Sequence, residues 1–437
     1  MTMKKTMCLI LSLLFVVALF SGCGQTDRPG ETTAPETTAP ALPHVLKVGY
    51  GRVNITPKDP VPLAGLFEVR VFEDVRDPLY ATCLAYTDET ENTVLVFHLD
   101  LLNAFSATLL AKRAVSEATG VPVGQIVVST NHNHSAPNLD KTDYANVMEY
   151  CDALKQWMVE AAQAAMADRK PATMSISKTN PEYLAFVRHY IMDDGSYVGD
   201  NFGDPAGKTY VSHATEVDDD LQLVKFTREG GKDILLMNHQ GHPAGHGEYR
   251  NSVLSYIDVV RRNVEKELDC LFAFTLGASG NVNCTTRIKA ENVYRSLYET
   301  RGAALAEKVV EAAKTTMEPA KTGSIRVLNQ TMKAAYKTGS SEGDIAMGVF
   351  SLGDLAFVTA PYEMFCENGM DIKKGSPYKM TFISTCTNGS LSYIPSIATF
   401  AYGGYEVEMT KFASGTAEML ADGYIAMLKQ IHDGGNG

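Results

Sequence analysis

The sequence predicts an α/β fold, with largely parallel or mixed β-sheets flanked by helices in a single large domain. Three observations predict it. Short runs rich in β-branched and aromatic residues alternate with longer stretches whose apolar residues recur every three or four positions. From His44 to Gly437 no second linker or low-complexity break divides the chain. Several strand-like runs end in histidine, asparagine or an acid, as at Phe97-His98-Leu99-Asp100 and Leu236-Met237-Asn238-His239. In α/β sheets, ligands bind at such strand ends.

At the N-terminus, Lys4-Lys5, an apolar run from Leu9 to Phe20 and then Ser21-Gly22-Cys23 have the order of a secretory signal. The run is too short for a comfortable membrane span. Its Leu19-Phe20-Ser21-Gly22-Cys23 ending resembles a bacterial lipobox, in which the cysteine becomes the lipidated first residue. Residues 1–23 are therefore expected to be a lipoprotein signal peptide, with Cys23 as the lipidation site. Residues 24–43 contain Glu-Thr-Thr-Ala-Pro twice, at 31–35 and 36–40. Such a Thr/Pro-rich stretch buries no core and reads as a tether. The mature chain is expected outside the cytoplasm, held to a bacterial cell membrane by its lipid.

Within 44–437 the β-type runs are Leu46–Ile55, Tyr80–Tyr86, Thr93–His98, Gln125–Thr130, Thr173–Ser177, Leu221–Thr227 and Ile234–Asn238. Later ones are Leu271–Leu276, Gly323–Val327, Ala346–Ser351, Leu355–Thr359 and Met380–Thr385. Helical spacing marks Ala104–Ala118, Ala145–Ala167, Ser252–Glu267, Val293–Ala313 and Val407–Ile431.

Hydrophobic residues make up 45% of the chain and charged ones 21%, a balance that supports a large core. Loss of residues 1–23 removes Lys4 and Lys5 and no acid, so the formal charge goes from −12 to −14. An acidic surface argues against nucleic acid as a partner and against a polybasic membrane patch. Outside the leader, Cys83, Cys151, Cys270, Cys284, Cys366 and Cys386 are scattered, with no CxxC. Disulfides and buried thiols are both compatible with that spacing.

The chemistry gathers at Val127-Val128-Ser129-Thr130-Asn131-His132-Asn133-His134. Side chains two apart on an extended chain share a face, so His132 and His134 can enter one cavity. Neutral imidazole is the commonest protein ligand of metals. Two polar loop residues bonded to backbone would read the same way, so the other strand ends decide. Those are Asn238-His239-Gln240-Gly241-His242-Pro243, Ala278-Ser279-Gly280-Asn281-Val282-Asn283 and Thr359-Ala360-Pro361-Tyr362-Glu363. A carboxylate such as Glu363 where an apolar strand stops needs a partner if it is buried.

Together these segments resemble the neutral, non-lysosomal ceramidase family. Gly49-Tyr50-Gly51-Arg52-Val53-Asn54-Ile55-Thr56-Pro57 is similar to that family's opening strand. Asn131-His132-Asn133-His134-Ser135-Ala136-Pro137 is similar to its Thr-His-Thr-His-Ser-Gly-Pro, and His242-Pro243 to its His-Pro. Pro361-Tyr362-Glu363 is similar to its Pro-Gly-Glu. Tyr393 and Tyr405, twelve apart, match two tyrosines near its end. The resemblance implies one catalytic Zn2+ held by His132, His242, Glu363 and Tyr393, with zinc-bound water attacking an amide. It implies His134 as proton shuttle or as the group that orients that water, and Tyr405 and Arg188 as oxyanion donors. The substrate implied is a small N-acyl or lipid-like molecule, ceramide or another.

The departures bear on that substrate. Where the family has a Ser in a Gly-Asp/Asn-x-Ser-Pro-Asn stretch, this chain has Asn283, which can donate a hydrogen bond but is no nucleophile. Tyr362 replaces a glycine. The family's C-terminal β-sandwich is expected to be absent, leaving only its N-terminal catalytic domain. Other readings of single residues stay open. His239, His242 and His246 could form a local metal triad. Glu363 could cap the next helix. Tyr393 and Tyr405 could be plain aromatics, and Arg188 a surface charge. Asp100 could orient a metal-bound histidine or cap a helix; His98 and His189 read as structural. A non-catalytic metal- or ligand-binding lipoprotein on the same fold is the alternative function.

Overall fold

The computed structural model describes residues 45–104, 106–200, 205–244, 249–294 and 297–434. The leader, Cys23 and the tether lie outside them, as does His246 of the local histidine triad. The main strands are β1 (Lys47–Asn54), β2 (Tyr80–Thr87), β3 (Thr93–Leu99) and β4 (Ile126–Thr130). Then come β5 (Lys170–Thr179), β6 (Leu221–Arg228), β7 (Ile234–His239) and β8 (Leu271–Leu276). They form one sheet in the order β8-β7-β6-β5-β1-β2-β3-β4. A second sheet has the order of its chain: β9 (Ile325–Ala335), β10 (Glu342–Leu352), β11 (Leu355–Thr359) and β12 (Met380–Ser384).

Both sheets are mixed. Of these neighbours, β3–β4, β7–β8 and β11–β12 run parallel and the rest antiparallel. The long β9–β10 hairpin reaches well past the expected segments, because its outer half carries exposed polar residues such as Lys333 and Asp344.

Alternation along the strands builds four layers. Cys83, Phe97, Leu99 and Val128 face helices α1 (Ser106–Thr119) and α2 (Ala145–Ala167). Leu235, Met237 and Phe272 face α3 (Tyr256–Leu268) and α4 (Tyr298–Thr315). The intervening residues Leu84, Val96, Phe226 and Leu236 meet Phe350, Phe357 and Phe382 of the second sheet. That sheet's far face packs on α5 (Cys366–Gly375) and the last helix. Each sheet thus has helices on one face and the other sheet on the other. Helix α2 lies close to β1 because Gly49 and Gly51 have no side chain. A Cβ at Gly49 would stand 1.9 Å from the Ala165 carbonyl oxygen.

Four helices differ from expectation, α4 by starting at Tyr298 and not at Val293. Helix α3 starts at Tyr256, where Ser255 caps it by accepting from the Asp258 amide; Ser252–Val253 instead pair with Asp74–Val75. Helix α5, rich in glycine and charge, has no clear period in the sequence. The expected Val407–Ile431 helix is interrupted. After α6 (Ile397–Tyr402), α7 (Tyr405–Met409) stops at Thr410, and α8 (Thr416–Asp433) begins after Gly415, which is left-handed. No helix among the described residues is long and apolar enough to cross a membrane. The six cysteines there are free thiols, five of them buried.

The large sheet curls on itself. Its seven inter-strand steps, at roughly 20–25° each, accumulate to about half a turn. The two edges therefore approach: Thr275 of β8 bonds His98 of β3 at 3.3 Å. The second sheet's last strand closes the seam. The Thr385 amide donates to Leu276 at 3.1 Å, and the Thr130 amide to Cys386 at 3.4 Å. The C-terminal ends of β4, β8 and β12 thus meet at one place.

Candidate metal centre

Strand β4 ends at Thr130, and the next four residues leave the sheet. Asn131 is held by Asp100, which accepts from its amide at 2.7 Å. Asn133 donates from its side chain to Leu254 at 2.9 Å. Between them His132 sits in the left-handed region at φ 58°. The two histidines therefore converge through a pinned loop, not through the strand alternation expected from their spacing. Asp100 serves this pin, accepts from the Tyr80 amide at 2.8 Å and pairs with Arg261 at 2.9 Å, so its bonds go neither to a histidine ring nor to a helix N-terminus.

His132 Nδ1 lies 3.0 Å from the Leu102 carbonyl oxygen, 3.2 Å from Asn103 Oδ1 and 3.4 Å from Cys386 Sγ. Donation to the carbonyl leaves Nε2 with its lone pair facing the opposite way. His242 repeats the arrangement, with Nδ1 3.2 Å from the Ser279 carbonyl oxygen and Nε2 2.9 Å from His134 Nε2. The rings of His132, His134 and His242 stand 4.7–4.9 Å apart by centroid. One nitrogen from each lies within 4.8 Å of the other two, a group able to hold a metal ion. His134, which the resemblance implies as proton shuttle, also offers a nitrogen to this group but is less buried than the other two. Its amide donates to Pro243 at 3.3 Å, which ties the two histidine loops together.

Glu363 follows β11 and is 8% exposed. Its Oε2 is 3.3 Å from His132 Nε2, and no other donor among the described residues reaches it. A buried carboxylate oxygen with only one long contact is costly. Beside three converging imidazoles, it fits a cation. Three nitrogens and a carboxylate oxygen are the ligand types zinc takes. Glu363 caps no helix, since α5 begins at Cys366 behind Phe365. Tyr393 is paired with Glu363 in a two-residue parallel ladder and is buried. Burial, reinforced by Glu363, holds its phenol well above the ordinary value.

Without a metal, the two deep imidazoles differ. Burial opposes charge on His132, but Glu363 and Cys386 outweigh it and hold its pKa well above normal. Burial and the neighbouring imidazoles hold His242 well below.

Arg188 is buried, its guanidinium carbon 5.4 Å from the Tyr393 ring centroid. The Tyr405 ring is 5.6 Å from that of Tyr393 and 5.9 Å from that of Phe67. The structure thus brings His132, His134, His242, Glu363, Tyr393, Tyr405 and Arg188 into one neighbourhood. Asn283 stands apart from the histidines in its bonding. It pairs with Phe186 in the ladder before Arg188, and its amide donates to Asp200 at 2.9 Å. His239 turns aside, its Nδ1 accepting from the Gly241 amide at 3.1 Å.

Several contributors carry no sign in the sequence. Cys386 touches His132 from a left-handed position at φ 50°. Arg70 donates to the His134 carbonyl oxygen at 2.8 Å. Gly65, at φ 87°, lies so close to the His134 ring that a Cβ would stand 2.3 Å from its Cγ. Glu406, next to Tyr405, binds Arg188. All four act through tertiary contacts that leave no periodic or spacing signal.

No protein-family model matches the sequence, and no curated protein does. Solved structures do. A neutral ceramidase from Pseudomonas aeruginosa aligns with a TM-score of 0.72 at 13% identity, over 89% of this chain and 75% of that one. A ceramidase complexed with C2 aligns with the same score and coverage at 12% identity. The fold is that of the neutral ceramidases. Against that fold, the ceramidase-like segments of the sequence are the loops that carry the histidine group, Glu363 and the two tyrosines.

Proposed function

We propose that the chain is a zinc-dependent hydrolase that cleaves an amide bond in an N-acyl compound, with ceramide as one candidate substrate. The observation that carries the reading is the convergence of one nitrogen from each of His132, His134 and His242, with a buried Glu363 oxygen 3.3 Å from His132 Nε2. The ceramidase fold supports it. His132, His242 and Glu363 would hold the metal, with Tyr393 beside them. Zinc in such a site polarises a carbonyl and lowers the pKa of water from 15.7 to about 7.

The chain's own groups do the rest. His134 is the least buried of the three imidazoles, and it would carry the proton between water and the leaving amine. Its backbone is held by Arg70. Burial raises the Tyr405 phenol above its ordinary value, so it stays protonated and can donate to an oxyanion. Arg188 is a permanent cation with the same aim. Asn283 would help to hold the Arg188 segment through Asp200, whose amide donates to Arg188 at 2.9 Å.

The test is metal content and turnover of the mature chain, loaded with zinc, on a panel of N-acyl substrates. One zinc per chain and release of acid and amine, both lost in His132→Ala, is the expected result. Zinc bound without turnover on any member would favour the non-catalytic binder. We also propose attachment to the outer face of the membrane through a lipid on Cys23, for which the signal and tether sequences are the support.

A further inference from the structure

We propose that Glu406 is a positioning residue of this site, setting Arg188 in the orientation that meets a developing oxyanion. The inference rests on the hydrolase reading. The Arg188 guanidinium makes two contacts to Glu406 Oε1, from Nε at 2.8 Å and from Nη2 at 2.8 Å. Nη2 also donates to the Gly280 carbonyl oxygen at 2.8 Å. The other carboxylate oxygen, Oε2, lies 3.0 Å from His189 Nε2. Consecutive residues of a strand point to opposite faces, so Arg188 and His189 should not reach one carboxylate. They do because Arg188 sits at a bend between Phe186–Val187 and His189–Met192. The backbone is broken at the one residue where the break lets both side chains converge.

Stability is a weak reason for such a cluster. Glu406 is 2% exposed and Arg188 4%, and apolar side chains of equal volume often hold a core as well as a buried ion pair does. Position is the better reason. Glu406 is covalently next to Tyr405, the other oxyanion donor. Gly280, which takes the remaining Arg188 contact, lies against the Glu363 backbone; a Cβ there would stand 2.6 Å from the Glu363 carbonyl oxygen. Glu406 and the Gly280 carbonyl together therefore fix Arg188 relative both to the tyrosine and to the glutamate of the metal group. An arginine held by a fork of contacts loses little further freedom when a ligand arrives.

The experiment uses the full mature chain with zinc and the variant Glu406→Asp, which keeps the charge and withdraws it by one methylene. Glu406→Gln is treated identically if the aspartate variant does not fold. The expected result is kcat down about 10- to 100-fold, KM within about twofold and zinc content unchanged. In an Arg188→Met background the same change should cost no further kcat, because Glu406 acts through Arg188. Independent, multiplicative losses would overturn the proposal, as would an unchanged kcat.

A second readout needs no turnover. Octanoate, a carboxylate probe of the oxyanion donors, should bind the parent about 10-fold more tightly than Glu406→Asp by calorimetry. Equal affinity overturns the proposal. A parent that hydrolyses nothing but shows this dependence would end the hydrolase reading and leave Glu406 as the residue that positions an anion clamp.

Discussion

His132 holds a conformation that non-glycine residues seldom adopt, at φ 58°. Such a residue costs on the order of 1 kcal/mol and persists where its surroundings over-determine it. Here the Asp100–Asn131 bond and the Leu102 carbonyl do so. The return is an Nε2 aimed at Glu363. Glu363→Gln should keep the fold and weaken zinc by about 100-fold or more, read by competition with a chelator, since even indirect partners cost 10- to 100-fold. The metal-free site should also bind a proton. Glu363 and Cys386 hold the His132 pKa well above its ordinary value, so zinc, which needs the neutral imidazole, competes there with a proton. Calorimetry in buffers of different ionisation enthalpy should count about one proton released per zinc, the rough figure that ligand deprotonation requires.

Glu406 gives a pH dependence of folding. Burial would raise its carboxyl, but Arg188 and His189 outweigh burial and bring it from 4.5 to about 2. Its contribution is therefore complete above the ordinary carboxylate range and is lost as pH falls through about 2. Urea midpoints should decline in that acid window for the parent. Glu406→Gln should be less stable at neutral pH and decline less.

At the scale of elements, glycine sets two close approaches. Gly65→Ala forces a Cβ into the His134 ring at a left-handed position. Overpacking plus strain should cost about 1–3 kcal/mol and lower turnover more than Phe67→Ala does, read by thermal melts and kinetics. The sequence located the long elements well. Val127-Val128-Ser129-Thr130 is a buried strand, and the Ala145–Ala167 helix ends where its spacing ends. It was poor where tertiary contacts decide. The break at Thr410–Gly415 is a change of direction inside an unbroken apolar pattern. The bend at Arg188 lets two consecutive side chains share one acid. The site was legible through histidine, glutamate and tyrosine at strand ends. Its supports were not, because Cys386, Arg70 and Gly65 belong to segments with no metal-ligand spacing.

For the whole molecule, thiol accessibility separates surface from core. Of the described cysteines only Cys151 is partly exposed, so in the folded 44–437 domain one thiol should react rapidly with an aromatic disulfide reagent and the others only on unfolding. Cys23→Ala in the full chain should shift the protein from the membrane fraction to the soluble one. Fractionation and mass spectrometry of the mature N-terminus read that outcome directly.

The half-turn of the large sheet also has a kinetic side. His132, His242 and Glu363 come from widely separated parts of the chain, and only the closed seam brings them together. Loop closure over such separations is slow and comes late. Zinc supplied during refolding should therefore find no tight site until the seam has formed. Metal capture and recovery of native near-ultraviolet dichroism should rise with one time constant, while helical signal returns earlier. The metal would then act as a latch on a finished barrel-like closure, slowing reopening without hastening assembly.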